Sequence, residues 1–288
     1  MIGLALIASL LLQAEEVTLK YGTDKSGADK ISREMKLGIK IEGPDPLVGY
    51  VRSMHAFLSM EKLVLRAEGT RQVLGGKKQK IDHDKARVEV RYDDENHEYD
   101  YAKGTPPVGD KDKLKQMMWY LAAGGSSFTL SPEGEYSKLD DPNQDQNGEA
   151  MDLILLGIVR MPDKPLKEGE TYEQKWKGQR TEKGKKGVFA YSQKVKVEKI
   201  ETKDGKKFAT LSADLSGKVE GGQKDASAEE AWNKCEGKMR TVIEVETGRV
   251  VSSEGSGKVT LYHKSTSDQG AKQELTMTFT VEGKVSPR

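Results

Sequence analysis

The sequence contains almost no cysteine, since Cys235 is the only one in 288 residues. A single cysteine excludes an intrachain disulfide framework and any zinc site built from cysteines. The chain also lacks an excess of either charge, with 47 lysines and arginines against 46 aspartates and glutamates. Because a near-zero net charge creates no long-range field that attracts a polyanion, we expect no nucleic-acid partner.

Familiar catalytic and nucleotide-binding motifs are missing as well. No G-x-x-x-x-G-K-[ST] loop is present, and residues 255–257 lack the third glycine of a dinucleotide fingerprint. Residues 124–128 lack the G-x-S-x-G pattern of a nucleophile elbow. We therefore expect a protein without enzyme activity and without a cofactor.

Long apolar runs are rare, and the exception is the first fourteen residues of the chain. Residues 2–12 are almost wholly apolar and uncharged, and Glu15 and Glu16 follow directly after Ala14. The run has the length of a secretory h-region and is shorter than the roughly 20 residues of a spanning helix. It predicts a signal peptide over residues 1–14 and a soluble protein in the periplasm or outside the cell. The alternative is a buried N-terminal strand or helix.

The dominant pattern after this run is an alternation of apolar and polar residues, which is typical of half-buried strands. In the second half, residues 189–197 and 209–219 alternate on either side of a turn at 203–206 that contains Asp204-Gly205. Residues 239–247, 251–261 and 275–281 show the same period. Short connections between such strands indicate an antiparallel meander.

The first half mixes strands with helices. Alternation predicts strands at residues 17–21, 31–41, 61–68 and 86–92, and apolar spacing of three and four residues predicts helices at 47–60, about 110–124 and about 149–159. The expected fold class is α+β and mostly β, with a long curved antiparallel sheet of half-barrel shape and two or three helices packed on its concave face. Helical apolar residues and strand edges would otherwise stay uncovered.

Pro162-Asp163-Lys164-Pro165 separates the mixed half, residues 15–161, from the β-rich half, residues 166–288. We interpret this segment as a turn within one domain spanning 15–288, because each half alone would leave a strand edge exposed. A domain boundary is the alternative.

Three short segments carry a resemblance to a known group of proteins. They are residues 16–21 directly after the leader, residues 165–172, and residues 247–251. These pieces resemble an uncharacterised family of exported bacterial proteins, a domain of unknown function, so the resemblance implies export but no activity. The layout of sheet and helices is also similar to the half-barrel of periplasmic lipoprotein carriers, and that likeness implies lipid binding as an expectation.

One segment has the spacing of a calcium loop. Asp141, Asn143 and Asp145 supply oxygen ligands at positions one, three and five, as in a D-x-N-x-D start. Gln146 stands where a sharp turn requires glycine, and Asp152 stands where a bidentate glutamate is usual. The alternative is a solvated acidic loop that leads into the next helix.

The histidines give no local metal motif. His55, His83, His97 and His263 are far apart, and none belongs to an H-E-x-x-H pattern. A transition-metal site would have to be assembled from distant positions, and packed or surface histidines are the alternative.

Methionine is frequent near the candidate helices, and flexible thioethers suit an adaptable apolar groove. The predicted groove lies between sheet and helices and is lined by Met117, Met118, Leu121, Met151, Ile154 and Ile158. The hypothesis is an exported, non-catalytic envelope protein that binds a lipid or other apolar ligand there. A structural or protein-interaction module of the cell envelope with a closed core is the alternative.

Overall fold

A computed structural model describes residues 16–22, 27–54, 56–75, 77–104, 113–123, 126–138, 146–182, 185–220, 230–266 and 270–288. The predicted signal peptide over 1–14 lies outside these residues. The calcium candidates Asp141, Asn143 and Asp145 lie outside them too, as does His55.

Most of the described chain is β-strand. The strands are β1 Glu16–Val17, β2 Gly27–Glu42, β3 Met60–Gly75, β4 Lys78–Tyr92, β5 Glu95–Ala102, β6 Ser126–Leu130, β7 Tyr136–Lys138, β8 Leu166–Lys167, β9 Thr171–Glu182, β10 Lys185–Lys203, β11 Lys206–Glu220, β12 Glu230–Glu244, β13 Arg249–Thr266 and β14 Lys272–Pro287. The helices are α1 Asp45–Met54, α2 Lys113–Ala123 and α3 Gln146–Leu156, with a 3₁₀-helix at Ala56–Ser59.

Twelve of these strands form one antiparallel sheet in the order β7-β6-β4-β3-β2-β14-β13-β12-β11-β10-β9, and β5 also pairs with β4. The sheet is open, and the pairing of β2 with β14 joins strands from both halves of the sequence. Helix α3 packs against β12, β13 and β14, and α2 packs against β4 and β5. The predicted α+β, mostly β class with one long antiparallel sheet is confirmed.

Alternation of side chains explains why these segments form strands with one buried face. In β10 the inward positions include Phe189, Tyr191, Val195 and Val197, each at most 2% exposed. Several outward positions are charged, and in one row across the sheet the signs alternate. That row runs Glu173, Lys194, Asp214, Lys238 through the cross-strand pairs of β9 to β12. Opposite charges in such pairs stabilise the sheet.

The hairpin predicted around Asp204-Gly205 is present, and both residues have positive φ angles, 52° and 74°. This is the backbone that a two-residue turn requires, and glycine and aspartate tolerate it better than other residues.

Several predicted boundaries were wrong in detail. Helix α3 ends at Leu156, not near residue 159, because Gly157 adopts a left-handed φ of 62° and stops the helix. The strand expected over 17–21 is limited to Glu16–Val17, and Tyr21 instead donates its backbone N–H to Pro132 O at 2.8 Å. The helix expected over 47–60 is divided into α1 and the 3₁₀-helix.

Glycines in the sheet set how closely α3 approaches it. A Cβ on Gly255 would lie 1.9 Å from Ile154 O, and a Cβ on Gly283 would lie 2.3 Å from Leu155 O. Gly255 and Gly283 are cross-strand partners, so the last turn of α3 rests directly on the backbone of β13 and β14. The Ile154 side chain, fully buried, fills the space above Gly237.

We expect Gly255→Ala to lower the free energy of unfolding by about 1 to 3 kcal/mol, because the added methyl group meets helix backbone that cannot rotate away. Chemical denaturation measures this change. Gly27→Ala is the matched control, since a Cβ at Gly27 meets nothing within 4 Å. Equal destabilisation by the two variants would show that the close helix approach is not what requires glycine.

Candidate functional site

The concave face has a seam where the sheet does not close. The end strands β7 and β9 lie on opposite sides of α3, and the helix approaches both of them. The chain leaves α3 at Gly157 and continues through residues 158–161, here called the seam segment. Ile158, Val159 and Met161 of this segment are buried. Helix and seam segment together cover the gap between the two edges.

Side chains from distant elements satisfy the backbone of the seam segment. Val159 N donates to Tyr21 Oη at 2.9 Å, and Tyr172 Oη in β9 donates to Arg160 O at 2.9 Å. Gln193, fully buried in β10, donates to Ile158 O at 3.0 Å and accepts from Arg160 N at 2.7 Å. Buried backbone groups need such partners, because an unpaired one costs roughly 1 to 3 kcal/mol.

Arg160 is the charged residue of the seam. Its guanidinium carbon lies 4.3 Å from the ring centroid of Trp176 in β9, and Nη1 lies 3.5 Å from Glu135 Oε1 on the β7 side. The Arg160 Nε and Trp176 Nε1 atoms are buried and have no hydrogen-bond acceptor within the described part of the chain. Trp176 stacks on Tyr191 at 5.0 Å, so Arg160 caps an aromatic row on the inner face of β9 and β10.

Glu149, in the first turn of α3, faces the same region. Burial raises the pKa of its carboxyl group to about 7, and Arg160 opposes this rise while Asp152 adds to it. Burial, with a smaller contribution from Glu149, also raises the pKa of the Cys235 thiol to about 12. A thiol with so high a pKa is protonated at neutral pH and is a poor nucleophile.

A second polar group lies under β2 and β4. Arg33 is 8% exposed, and burial lowers its pKa while Asp152 and Tyr136 oppose that change. Tyr136 Oη donates to Asp152 Oδ2 at 2.7 Å. His83 Nδ1 lies 2.8 Å from Ala122 O, and burial lowers the pKa of its imidazole. These contacts join α2 and α3 to the sheet.

The residues predicted to line the groove differ in how deeply the structure buries them. Met118, Ile154 and Ile158 are buried at 0%, 0% and 4% exposure and belong to the packed core. Met117 and Met151 are half-buried, and the side chain of Leu121 lies outside the described residues. Around Ile154 the space between helix and sheet is therefore filled by protein.

The opposite end of the concave face is covered less completely. Helix α1, which connects β2 to β3 at this end, packs mainly against the 3₁₀-helix that follows it. Its apolar residues Leu47, Val48 and Val51 are half-buried. Leu261 and Met277 are cross-strand partners at inward positions of β13 and β14 and are also only half-buried. We call this region the α1 end.

Within the described residues, no three histidine, cysteine, aspartate or glutamate side chains lie close enough together to hold a metal ion. The calcium site at Asp141, Asn143 and Asp145 stays a prediction. The helices of the described part are all too short or too polar to cross a membrane.

Sequence reasoning missed Arg160, Trp176, Glu149 and Gln193. The sequence alone could have drawn attention to Gln193, because it occupies an inward position between Tyr191 and Val195, where the alternation predicts an apolar side chain. The sequence gives no such indication for Arg160, Trp176 and Glu149, because their contacts join elements that are far apart in the chain.

No model of a known protein family matches the chain, and no curated protein matches it. Among solved structures, the chain has a weak similarity to a protein of Nitrosomonas europaea provisionally described as AttH. The match covers 88% of this chain and 92% of that chain, with 10% identity and a TM-score of 0.14. A TM-score at this level carries no information about a shared fold or activity.

We expect Glu149→Gln to stabilise the protein at high pH. The folded-state pKa of about 7 exceeds the ordinary value of 4.5, so the wild-type protein loses stability as the pH rises from about 4.5 to 7. Glutamine stays neutral, and the variant should gain about 3 kcal/mol at pH 8 but less than about 1 kcal/mol at pH 5. Urea denaturation at both pH values measures the difference.

The matched control is Glu246→Gln, which neutralises an exposed glutamate in the turn between β12 and β13. Its effect should be small at both pH values. A gain for Glu149→Gln that does not change with pH would contradict the raised pKa.

Proposed function

We propose that the protein binds a single apolar chain, such as an acyl chain, at the α1 end of its concave face. The observation that carries this proposal is the uneven filling of that face. Over the glycines of β12 to β14 the core is closed by α3, whereas at the α1 end inward Leu261 and Met277 remain half-buried. Apolar surface of this kind is stabilised when a ligand covers it.

The chemistry of the α1 end suits an apolar occupant. Leu261 and Met277 lie side by side on adjacent strands, and the half-buried apolar residues of α1 belong to the connection between β2 and β3. Methionine adapts its shape to ligands of different form. An amphipathic helix that makes its closest packing with a short 3₁₀-helix can shift more easily than one packed along the strands.

The role we propose is carriage or sequestration without a chemical step. The buried Cys235 thiol is protonated, and the unpaired donors of Arg160 and Trp176 are inaccessible to solvent. Neither group is placed to act on a ligand at the α1 end. The leader pattern of residues 1–14 supports a site of action outside the cytoplasm.

A structural or protein-interaction module is the second candidate. The filled core around Ile154, in contact with Gly237 and Gly257, favours it, because that part of the predicted groove has no space for a ligand.

Titration with a fluorescent fatty acid tests the binding proposal, together with native mass spectrometry of the purified protein to detect bound lipid. We expect saturable uptake of one chain per protein. Met277→Gln keeps the side-chain size but buries an amide against the chain, so we expect affinity to fall about tenfold or more.

Thr278→Gln is the control, because it places the same side chain at the neighbouring position on the outer face of β14. It should bind the fatty acid as the wild type does. Lipid-free protein with no uptake would refute apolar-chain binding and favour the interaction module.

We also expect the exported protein to begin at Glu15, since cleavage after Ala14 follows the small-residue rule. Intact mass measurement of the protein recovered from the periplasm or medium of a producing bacterium checks this. Recovery of the full chain from the cytoplasm alone would contradict export.

A further inference from the structure

At one end of the sheet, strand β14 stops before its two neighbours do. It pairs with β2 only as far as Ile31 and with β13 only as far as Ser253. Within the described residues, no strand lies between residues 27–29 of β2 and residues 249–252 of β13. A cavity of about 640 Å³ is lined from both of these borders, and we call it the notch.

The notch lies at the end of the sheet opposite the α1 end, because it contains the start of β2, whereas α1 follows the end of that strand. Two loops complete its lining, residues 20–22 and residues 132–133. A hydrogen bond from Tyr21 N to Pro132 O, 2.8 Å long, joins these loops. A ligand in the notch is therefore separate from an apolar chain bound at the α1 end.

Two arginines that line the notch share one carboxylate. Asp29 and Arg71 are cross-strand partners on β2 and β3, and Arg71 Nη2 lies 3.1 Å from Asp29 Oδ2. Arg249 Nη1 lies 3.0 Å from Asp29 Oδ1. Burial lowers the pKa of Arg71, Asp29 opposes this change, and the positive charge of Arg249 adds to it. Asp29 therefore balances only one of the two positive charges.

Arg71 also keeps hydrogen-bond donors that the protein does not use. Its side chain is only 11% exposed, and its Nη2 atom donates to Asp29 and to Val250 O. Its Nε and Nη1 atoms have no acceptor within the described part of the chain. Because Arg71 lines the notch, an acceptor for these donors has to come from inside it.

The side chain of Gln79 gives an independent indication of a ligand. Gln79 stands at an inward position of β4, opposite Val73 of β3, and is 8% exposed. Its amide borders the notch and has no hydrogen-bond partner among the described residues. An unpaired buried amide destabilises a fold, whereas an apolar side chain at the same inward position would not. Gln79 is therefore better suited to a bound molecule than to the core.

We propose that the notch binds the carboxylate group of a small organic molecule. A carboxylate accepts two parallel hydrogen bonds from a planar guanidinium group, and the amide of Gln79 supplies a further donor. The same carboxylate offsets the positive charge that Asp29 leaves at Arg71 and Arg249. A volume of about 640 Å³ is typical of a pocket for a small molecule.

The loops around the notch restrict the charge of the ligand. Glu133 and Glu246 also line the cavity, and their carboxylates repel a ligand with several negative charges, such as a phosphate ester. An amino group on the ligand is attracted by the same two side chains. The notch therefore favours a monocarboxylate, with or without an amino group.

Calorimetric titration with three related compounds tests the proposal. Dialanine carries a carboxylate and an amino group, N-acetyl-dialanine carries the carboxylate alone, and dialanine amide lacks the carboxylate. We expect saturable binding of at least one of the first two compounds and no binding of the amide. Tighter binding of dialanine than of its N-acetyl form would show that the loop carboxylates contribute as well.

Gln79→Leu is the informative variant, because it separates binding from stability. Leucine removes an unpaired amide from an inward position, so the thermal midpoint of the ligand-free protein should rise. It also removes a donor from the notch, so the affinity for the bound carboxylate should fall about tenfold. A glutamine with a merely structural role would not produce these two opposite effects.

Gln72→Leu is the matched control, since it makes the same change on the outer face of the adjacent strand β3, next to Arg71. Its affinity should equal that of the wild type. The proposal is overturned if neither carboxylate binds, if dialanine amide binds as tightly as dialanine, or if Gln79→Leu binds as the wild type does. Circular dichroism of both variants verifies that they are folded.

Discussion

The fold depends on the contact between the backbone of α3 and the glycines of β13 and β14. Gly255 and Gly283 allow the carbonyl groups of Ile154 and Leu155 to touch the sheet, which no larger residue permits. At this distance the helix fills the concave face and reaches both end strands. An open sheet whose buried face was not covered in this way would expose apolar surface and two unpaired edges.

The chain that covers the seam is neither helix nor strand. Several of its backbone groups therefore lack partners in the hydrogen-bond ladder of the sheet and are paired with side chains instead. Thr241 donates to Gly157 O, and Gln193 serves both Ile158 and Arg160. Polar residues therefore stand at inward positions where the strand pattern calls for apolar ones. The hydrogen bonds of these side chains hold β10 and β12 to the chain that follows α3.

Much of the architecture could be predicted from local sequence patterns, whereas the surroundings of the candidate site could not. The strands of the second half were predictable from alternation, and the third helix from apolar residues spaced three and four apart. The helix end was misplaced because Gly157 stops the helix inside an apolar run. The surroundings of Glu149 and Arg160 could not be predicted, since Trp176 and Cys235 reach them only through the folded sheet. Glycines at 255 and 283 were the overlooked signal of a close backbone approach.

The pairing of β2 with β14 has a consequence for how the protein is made. Lys36 in β2 and Glu282 in β14 are in contact at 2.9 Å although they stand 246 positions apart in the chain. The central pair of strands therefore cannot form before β14 has been synthesised, and contacts of such sequence separation form slowly. During synthesis the growing chain remains without its central strand pair. The order of the strands therefore places the joining of the two sides of the sheet late in folding.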